Sequence, residues 1–403
     1  MHRFRLAVSR ERLATTAFVF GALAVSQSPC SASALSAHTG SSSRALPATS
    51  SGWSFHAVCD TTTANYCSHS NYVTGINATT SGPYITFYYI DSTNGKYYSF
   101  KGASGTPWYD YTFTPVQCCG GTTTYSTVLE DLSDTAGDPH IVGYGSSPGY
   151  SCSTCGLLHY DGTWTVIQDP NEGSGPCAVT EVEGINDSKM GVGFYEKNKT
   201  GSLDGCYDLP FEFYLNAAGT AYEYVDMTPS APPGQTLQTS EADGINGLGD
   251  VAGTLTTTSG NIYGWFYSEL EYNYFSISSG GSTFPTYALG LNWDDTVVGD
   301  YTDGGTTYGF LVTNPEASPT PSATTINFNG NSNVTAVRSI NLTKHYTSGL
   351  ETYTIGGWYQ TTATSAAQGF VARCSISACS PPDDAIRIHG NSRPRAIKPL
   401  RHT

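Results

Sequence analysis

Positive charge is scarce in this sequence. Its 403 residues hold 18 Lys+Arg against 33 Asp+Glu, and charged residues of both signs make up only 13%. Residues 1–34 account for four of the basic side chains and one acidic one, so the remainder carries 14 against 32. A body that acidic repels phosphate backbones and anionic bilayers, which excludes nucleic acid as a partner. Helical periodicity is also missing: no stretch repeats apolar residues at 3.6 spacing between caps. No apolar run is long enough to cross a bilayer, so no membrane span is predicted. No cofactor motif is present either. What remains is rich in Gly (44 residues) and Tyr (28), with short apolar runs bounded by Gly, Asn, Asp or Pro. That is the strand pattern, and it predicts an all-β protein.

The two ends differ from this body. Arg3, Arg5, Arg10 and Arg12 precede the apolar stretch Leu13–Val25, and Ala32-Ser33-Ala34 follows as a small-residue cleavage site. This order predicts a secretory signal peptide over 1–34 and a secreted, extracellular or cell-surface protein. Residues 35–52 read as a Ser/Thr/Ala-rich linker. Residues 381–403 open with Pro381-Pro382 and turn basic at Arg387, Arg393, Arg395, Lys398 and Arg401, a disordered tail by composition.

Export changes the meaning of the cysteines. There are 11, and the signal removes Cys30, leaving an even ten that read as disulfides. Proximity favours Cys59 with Cys67, Cys177 with Cys206, and Cys374 with Cys379. Cys118, Cys119, Cys152 and Cys155 then pair among themselves. Spacing does not fix connectivity, and Cys59 with Cys374 stays open as an alternative.

The body repeats itself. Gly75-Ile76-Asn77, Gly184-Ile185-Asn186 and Gly244-Ile245-Asn246 recur as Gly290-Leu291-Asn292, Ser339-Ile340-Asn341 and a degenerate Asp131-Leu132-Ser133. In three copies a second Gly follows nine residues after the first (Gly193, Gly253, Gly299) and is expected to close a short strand. A Gly-aromatic pair then appears at Gly264-Trp265, Gly309-Phe310 and Gly369-Phe370, before a further β-prone stretch. About four strands per unit at this spacing predict about six tandem four-stranded repeats over 53–380, arranged as a six-bladed β-propeller. A small twisted sheet cannot bury both its faces alone, so Ile76, Leu132, Ile185, Ile245, Leu291 and Ile340 are expected between units. Trp265, Phe310 and Phe370 are expected there as well. The motif Gly would allow close backbone approach or a positive φ, and the Asn a left-handed turn. The sixth unit lacks a good fourth strand, while Trp53–Val58 reads as a strand with no unit of its own. The expectation is that 53–58 closes the ring beside 369–373.

Gly290-Leu-Asn-Trp-Asp-Asp-Thr-Val-Val-Gly299, followed by Tyr308-Gly309-Phe310-Leu311, resembles the HAF repeat of bacterial extracellular proteins, and Gly244–Tyr267 is similar. The resemblance spans most of 72–374 but departs from it at Trp265 and Phe310, where that repeat has His-Ala-Phe. It implies an exported repeat protein and supplies no catalytic residues.

Motifs with chemical content are few. Gly145-Ser146-Ser147-Pro148-Gly149 fits G-x-S-x-G literally but lacks the strand and helix of a nucleophile elbow, and reads as a loop. Cys152-Ser-Thr-Cys155 lacks the βαβ setting of a redox pair. Asp91–Gly95 and Asp300–Gly304 resemble calcium loops without a full ligand list, so turn chemistry explains them and no metal is predicted. Glu130, Asp131, Asp134 and Asp138 form an acidic cluster, read as solvated surface, in which a glycosidase pair is conceivable. Runs such as Phe87-Tyr88-Tyr89 offer either interface packing or a stacking surface for a ligand. Five glycosylation sequons begin at Asn77, Asn186, Asn198, Asn333 and Asn341, three of them the motif Asn.

No catalytic residue is predicted. The sequence points to a monomeric, secreted, non-enzymatic binding module for an extracellular glycan or protein ligand. The alternatives are a glycan-active hydrolase or lyase on the same scaffold, and a structural envelope or matrix component. Carboxylates converging in a central channel would point to the enzyme, and a tyrosine-lined rim to binding.

Overall fold

The computed structural model describes residues 52–379 except 59–68, 78–83, 105–110, 117–125, 134, 136–138, 147–151, 200–204, 280–281, 317–318, 320, 322, 329–332, 342–344, 348–349 and 363. The signal, the tail, nearly all of the linker, Cys59, Cys67, Cys118, Cys119, Asp134, Asp138 and Ser147 lie outside the described residues.

Strands dominate, as the short β-branched and aromatic runs require. The helical elements among the described residues are the single turns Gly175–Cys177 and Ile376–Cys379, and none is long and apolar enough to cross a membrane. The chain forms a β-propeller arrangement of antiparallel sheets. Four sheets are separate and four-stranded, each built from consecutive strands. Unit 1 holds Asn71–Ile76, Tyr84–Asp91, Lys96–Ser104 and Tyr111–Val116. Unit 2 runs Thr127–Leu132, Ile141–Gly145, Cys155–Tyr160 and Thr163–Ile167. Unit 3 runs Thr180–Ile185, Gly191–Asn198, Cys206–Leu215 and Tyr222–Asp226. Unit 4 runs Leu237–Ile245, Val251–Thr257, Ile262–Ser268 and Glu271–Phe275.

The last two repeat units share one nine-stranded sheet. Unit 5 (Thr286–Leu291, Val297–Asp303, Thr306–Val312, Thr324–Ile326) meets unit 6 (Val334–Ile340, His345–Thr347, Leu350–Gln360, Gln368–Ser375) through one parallel bridge, Thr307 to Val334. The segment Ser54–Ala57 lies antiparallel beside Gln368–Ser375, with Ser54 opposite Arg373 and Ala57 opposite Phe370.

Each unit's first strand is its inner one, and inner strands pack on their neighbours in chain order, with Val334–Ile340 against Asn71–Ile76. The core therefore lies between sheets. One cluster joins Val142 and Leu158 of unit 2 to Ile185, Phe211 and Phe213 of unit 3. The next joins Val192 and Met227 to Ile245 and Trp265, and a third joins Phe266 and Phe275 to Leu291 and Phe310. Where the chain ends meet, Phe55 packs edge-on against Phe328 and Phe370, with ring centroids 5.2 and 5.6 Å apart. Ile76, Leu132, Ile185, Ile245, Leu291, Ile340, Trp265, Phe310 and Phe370 are all buried, at 3% exposure or less.

Two expectations about the repeat need correction. Gly193, Gly253 and Gly299 do not close their strands but lie inside Gly191–Asn198, Val251–Thr257 and Val297–Asp303. Each sits where an added Cβ would strike the carbonyl oxygen of Glu181, Glu241 or Tyr287 on the inner strand. Gly253 also makes room for the Trp265 ring. Second, the motif Asn residues are not left-handed; positive φ falls three residues later, at Lys189, Gly249 and Asp295. The motif Gly serves close approach, since a Cβ on Gly244 would lie 3.0 Å from Gly290 Cα of the next unit.

Three disulfides are formed among the described cysteines: Cys152–Cys155, Cys177–Cys206 and Cys374–Cys379. The last rules out a bond from Cys374 to Cys59.

Candidate functional site

The inner strands carry an irregularity that the sequence does not advertise. In every unit the register against the second strand slips at the same place, between Val73 and Gly75, Leu129 and Asp131, Val182 and Gly184, Ala242 and Gly244, Ala288 and Gly290, and Val337 and Ser339, and unit 4 has a second slip between Leu237 and Thr239. The extra residues are Thr74, Glu130, Glu183, Asp243, Leu289 and Arg338. A β-bulge re-aims the side chain of its extra residue, and all six line one central cavity. Opposite the bulge stands Gly143, Gly193, Gly253, Gly299 or Gly357 in units 2 to 6, and Phe87 in unit 1.

The cavity is charged and partly open. Glu130, Glu183 and Asp243 are each 5% exposed or less. Arg338 sits among them with a guanidinium nitrogen 3.6 Å from a Glu130 carboxylate oxygen. Asp131 also lines it, and its carboxylate accepts the backbone N–H of Ile185 at 3.2 Å. One strand outward, burial pushes the Asp300 carboxyl up to about 7, with Arg338 pulling it down and Asp243 adding to the rise. Tyr88 is raised well above its ordinary value by burial, then by Glu130. The room in the cavity fits about one water-sized group. Ile245, Leu291 and Ile340 also line it.

Below this ring the motif Asn residues form a second one. The Asn186 side-chain N–H donates to the Asn246 carbonyl (2.9 Å), that of Asn246 to the Asn292 carbonyl (3.2 Å), and that of Asn77 to the Ser133 carbonyl (2.8 Å). Each bond crosses to the next unit. The Asn186 Oδ1 meanwhile accepts the backbone N–H groups of Ser188 and Met190. All five Asn are fully buried, so Asn77, Asn186 and Asn341 are inaccessible to a glycosyltransferase in the folded chain.

The remaining sequence candidates disperse. Glu130 and Asp131 do not act as a pair, since Arg338 engages one and a backbone amide the other. Their reading as solvated surface is overturned for Glu130, which is buried. The Asp91 oxygens are taken by Thr93 and Asn94, as turn chemistry requires. Among the described residues, the one group near enough to share a metal ion is Cys177, Glu196 and Cys206, whose cysteines are bonded to each other. Several tyrosines are fasteners: Tyr272 Oη donates to the Met227 carbonyl at 2.7 Å and Tyr274 Oη to that of Ser230, holding the connection between units 3 and 4. The sequence signal that leads to the cavity is the residue before each Gly-Ile-Asn or its variant, charged in four of the six inner strands.

No protein-family model matches this sequence. No curated protein matches it either. Among solved structures, the chain is similar to a Trypanosoma rangeli sialidase in complex with the inhibitor DANA (8% identity, TM-score 0.45), the match covering 76% of this chain and 55% of that one. The chain thus spans about half the length of that sialidase. It is also similar to a subtype N11 neuraminidase-like protein of A/flat-faced bat/Peru/033/2010 (10% identity, TM-score 0.42, 83% and 96% covered). A third match is the β-propeller domain of the Trilobed protease from Pyrococcus furiosus (8% identity, TM-score 0.42, 78% and 98% covered).

Proposed function

We propose that the chain is a secreted, non-enzymatic binding module of the HAF-repeat type, a six-bladed propeller whose central channel receives part of an extracellular glycan or protein ligand. The observation that carries this reading is the bulge ring. The repeat is uniform around it, yet the bulged position reads Thr, Glu, Glu, Asp, Leu and Arg. A varied ring held in a uniform scaffold is a recognition site grafted on a repeat fold.

The converging carboxylates speak for the hydrolase or lyase, but the size of the cavity speaks against it. Room for about one water-sized group leaves no place for a sugar ring between two carboxyls, and Glu130 is already engaged by Arg338. Six blades are supported by the order in which the inner strands touch, the last returning to the first. Closure by the N-terminal strand is supported by its register against Gln368–Ser375, where it gives unit 6 an outer strand. Three disulfides favour an oxidising compartment.

Two experiments test this. A glycan and peptide array probed with the chain from residue 35 onward should find a ligand whose binding Glu183→Gln with Asp243→Asn removes. Turnover of that ligand, or binding indifferent to the double variant, overturns the reading. Deleting 53–58, which removes the buried Trp53 and Phe55, should lower Tm by well over 10 °C or leave the protein insoluble; unchanged stability rejects closure by that strand.

A further inference from the structure

Building on the channel as the binding site, we propose that the group it receives is a primary ammonium on a linear alkyl chain, as at the tip of a lysine side chain or the end of a polyamine.

Charge sets the sign of the ligand. Four carboxylates (Glu130, Asp131, Glu183, Asp243) face the cavity against one guanidinium, that of Arg338. Against walls of buried protein such an excess attracts a cation more strongly than it would in water. Ser339 points to the same place independently. It occupies the position held by Gly in units 1, 3, 4 and 5, lines the cavity and is 5% exposed, and its Oγ makes no hydrogen bond. A buried hydroxyl without a partner is costly, and a ligand N–H supplies one.

Size and shape then choose among cations. An ammonium is the size of a water molecule and fits the room in the cavity, whereas a planar guanidinium is larger. A bare divalent ion wants six or more converging oxygens, and among the described residues no three of these carboxylates come within reach of one point. The apolar lining from Ile245, Leu291 and Ile340 suits methylene groups.

The test is calorimetric titration of the chain from residue 35 onward with a short neutral peptide containing one lysine, with its Nε-acetyl and arginine counterparts, and with cadaverine. The lysine peptide should bind and both counterparts bind at least about tenfold more weakly. Tighter binding of cadaverine than of peptide assigns the group to polyamines, and the reverse to lysine side chains. Ser339→Ala, which removes a hydroxyl the fold does not use, should weaken the lysine peptide about three- to tenfold without changing Tm by more than about 2 °C. Equal affinity for the Nε-acetyl peptide, or an unchanged affinity in Ser339→Ala, overturns the assignment. If the array yields an amine-free ligand held by the channel and no amine binds, the ammonium is wrong and the binding module stands. If the array yields no ligand and no amine binds, both fall.

Discussion

The bulge ring and the asparagine ring lie three residues apart on the same inner strands, from Thr74 and Asn77 to Arg338 and Asn341. They are built on opposite terms. The lower ring has one residue type in five units: the Asn77, Asn186 and Asn246 amides each reach the next unit's backbone, while the Asn292 amide nitrogen makes no bond and the Asn341 Oδ1 accepts the Thr354 N–H of its own unit. The upper ring has five residue types in six places, and two of them, Glu130 and Arg338, pair across it. The difference separates what joins neighbouring units from what the units are free to vary. Asn77, Asn186 and Asn246 tie neighbouring units together, and the residue at the bulge above them differs from unit to unit.

The comparison breaks first at Asn186. Asn186→Ala removes two acceptor contacts to backbone N–H groups and a donor to Asn246, all buried, and should cost about 3 kcal/mol or more in urea unfolding. A cost under about 1 kcal/mol would make the lower ring ornamental. Gly193→Ala drives a Cβ into the Glu181 carbonyl beside the bulge and should cost about 2 kcal/mol. A neutral result there would mean that the bulge is not held by the missing side chain.

The rings should also part in their response to pH. The lower ring's amides do not titrate, and the carboxylates that touch it, Asp250 and Asp295, both accept from Asn246, whereas Asp300, beside the upper ring, is held at about 7 by burial. Because its pKa is raised on folding, its stabilising contribution is complete below the unfolded value of about 4 and is lost as pH rises through about 7. The Tm difference between pH 5.5 and pH 8 should therefore shrink in Asp300→Asn, and an unchanged difference would take Asp300 out of the account. Least affected of all, Glu183→Gln should change stability by less than about 1 kcal/mol, since the upper ring is expected to serve recognition. A larger loss would make it part of the scaffold.

Much of the fold could be read along the chain. The strand runs, the repeat spacing and the burial of Ile185, Ile245, Leu291, Trp265 and Phe310 follow from alternation and periodicity, which are local. Cys177–Cys206 and Cys374–Cys379 followed from proximity. The site was less legible. Glu130 drew notice as an acid, but its partner Arg338 lies more than two hundred residues on and nothing local connects them. The Asn was noticed and misread, because its side chain answers to the loop that follows and to a carbonyl in the next unit.

Sequence alone determined that this chain forms strands, that it repeats, and which apolar residues it buries between its units. Each of these is set by the pattern of side chains within a few residues, where one face must leave water. Only the tertiary structure decided that units 5 and 6 share a sheet, and that six bulges bring Thr74, Glu130, Glu183, Asp243, Leu289 and Arg338 to one cavity. A bulge exists in the pairing between two strands and a cavity in the packing of several sheets, so neither is written in any one segment.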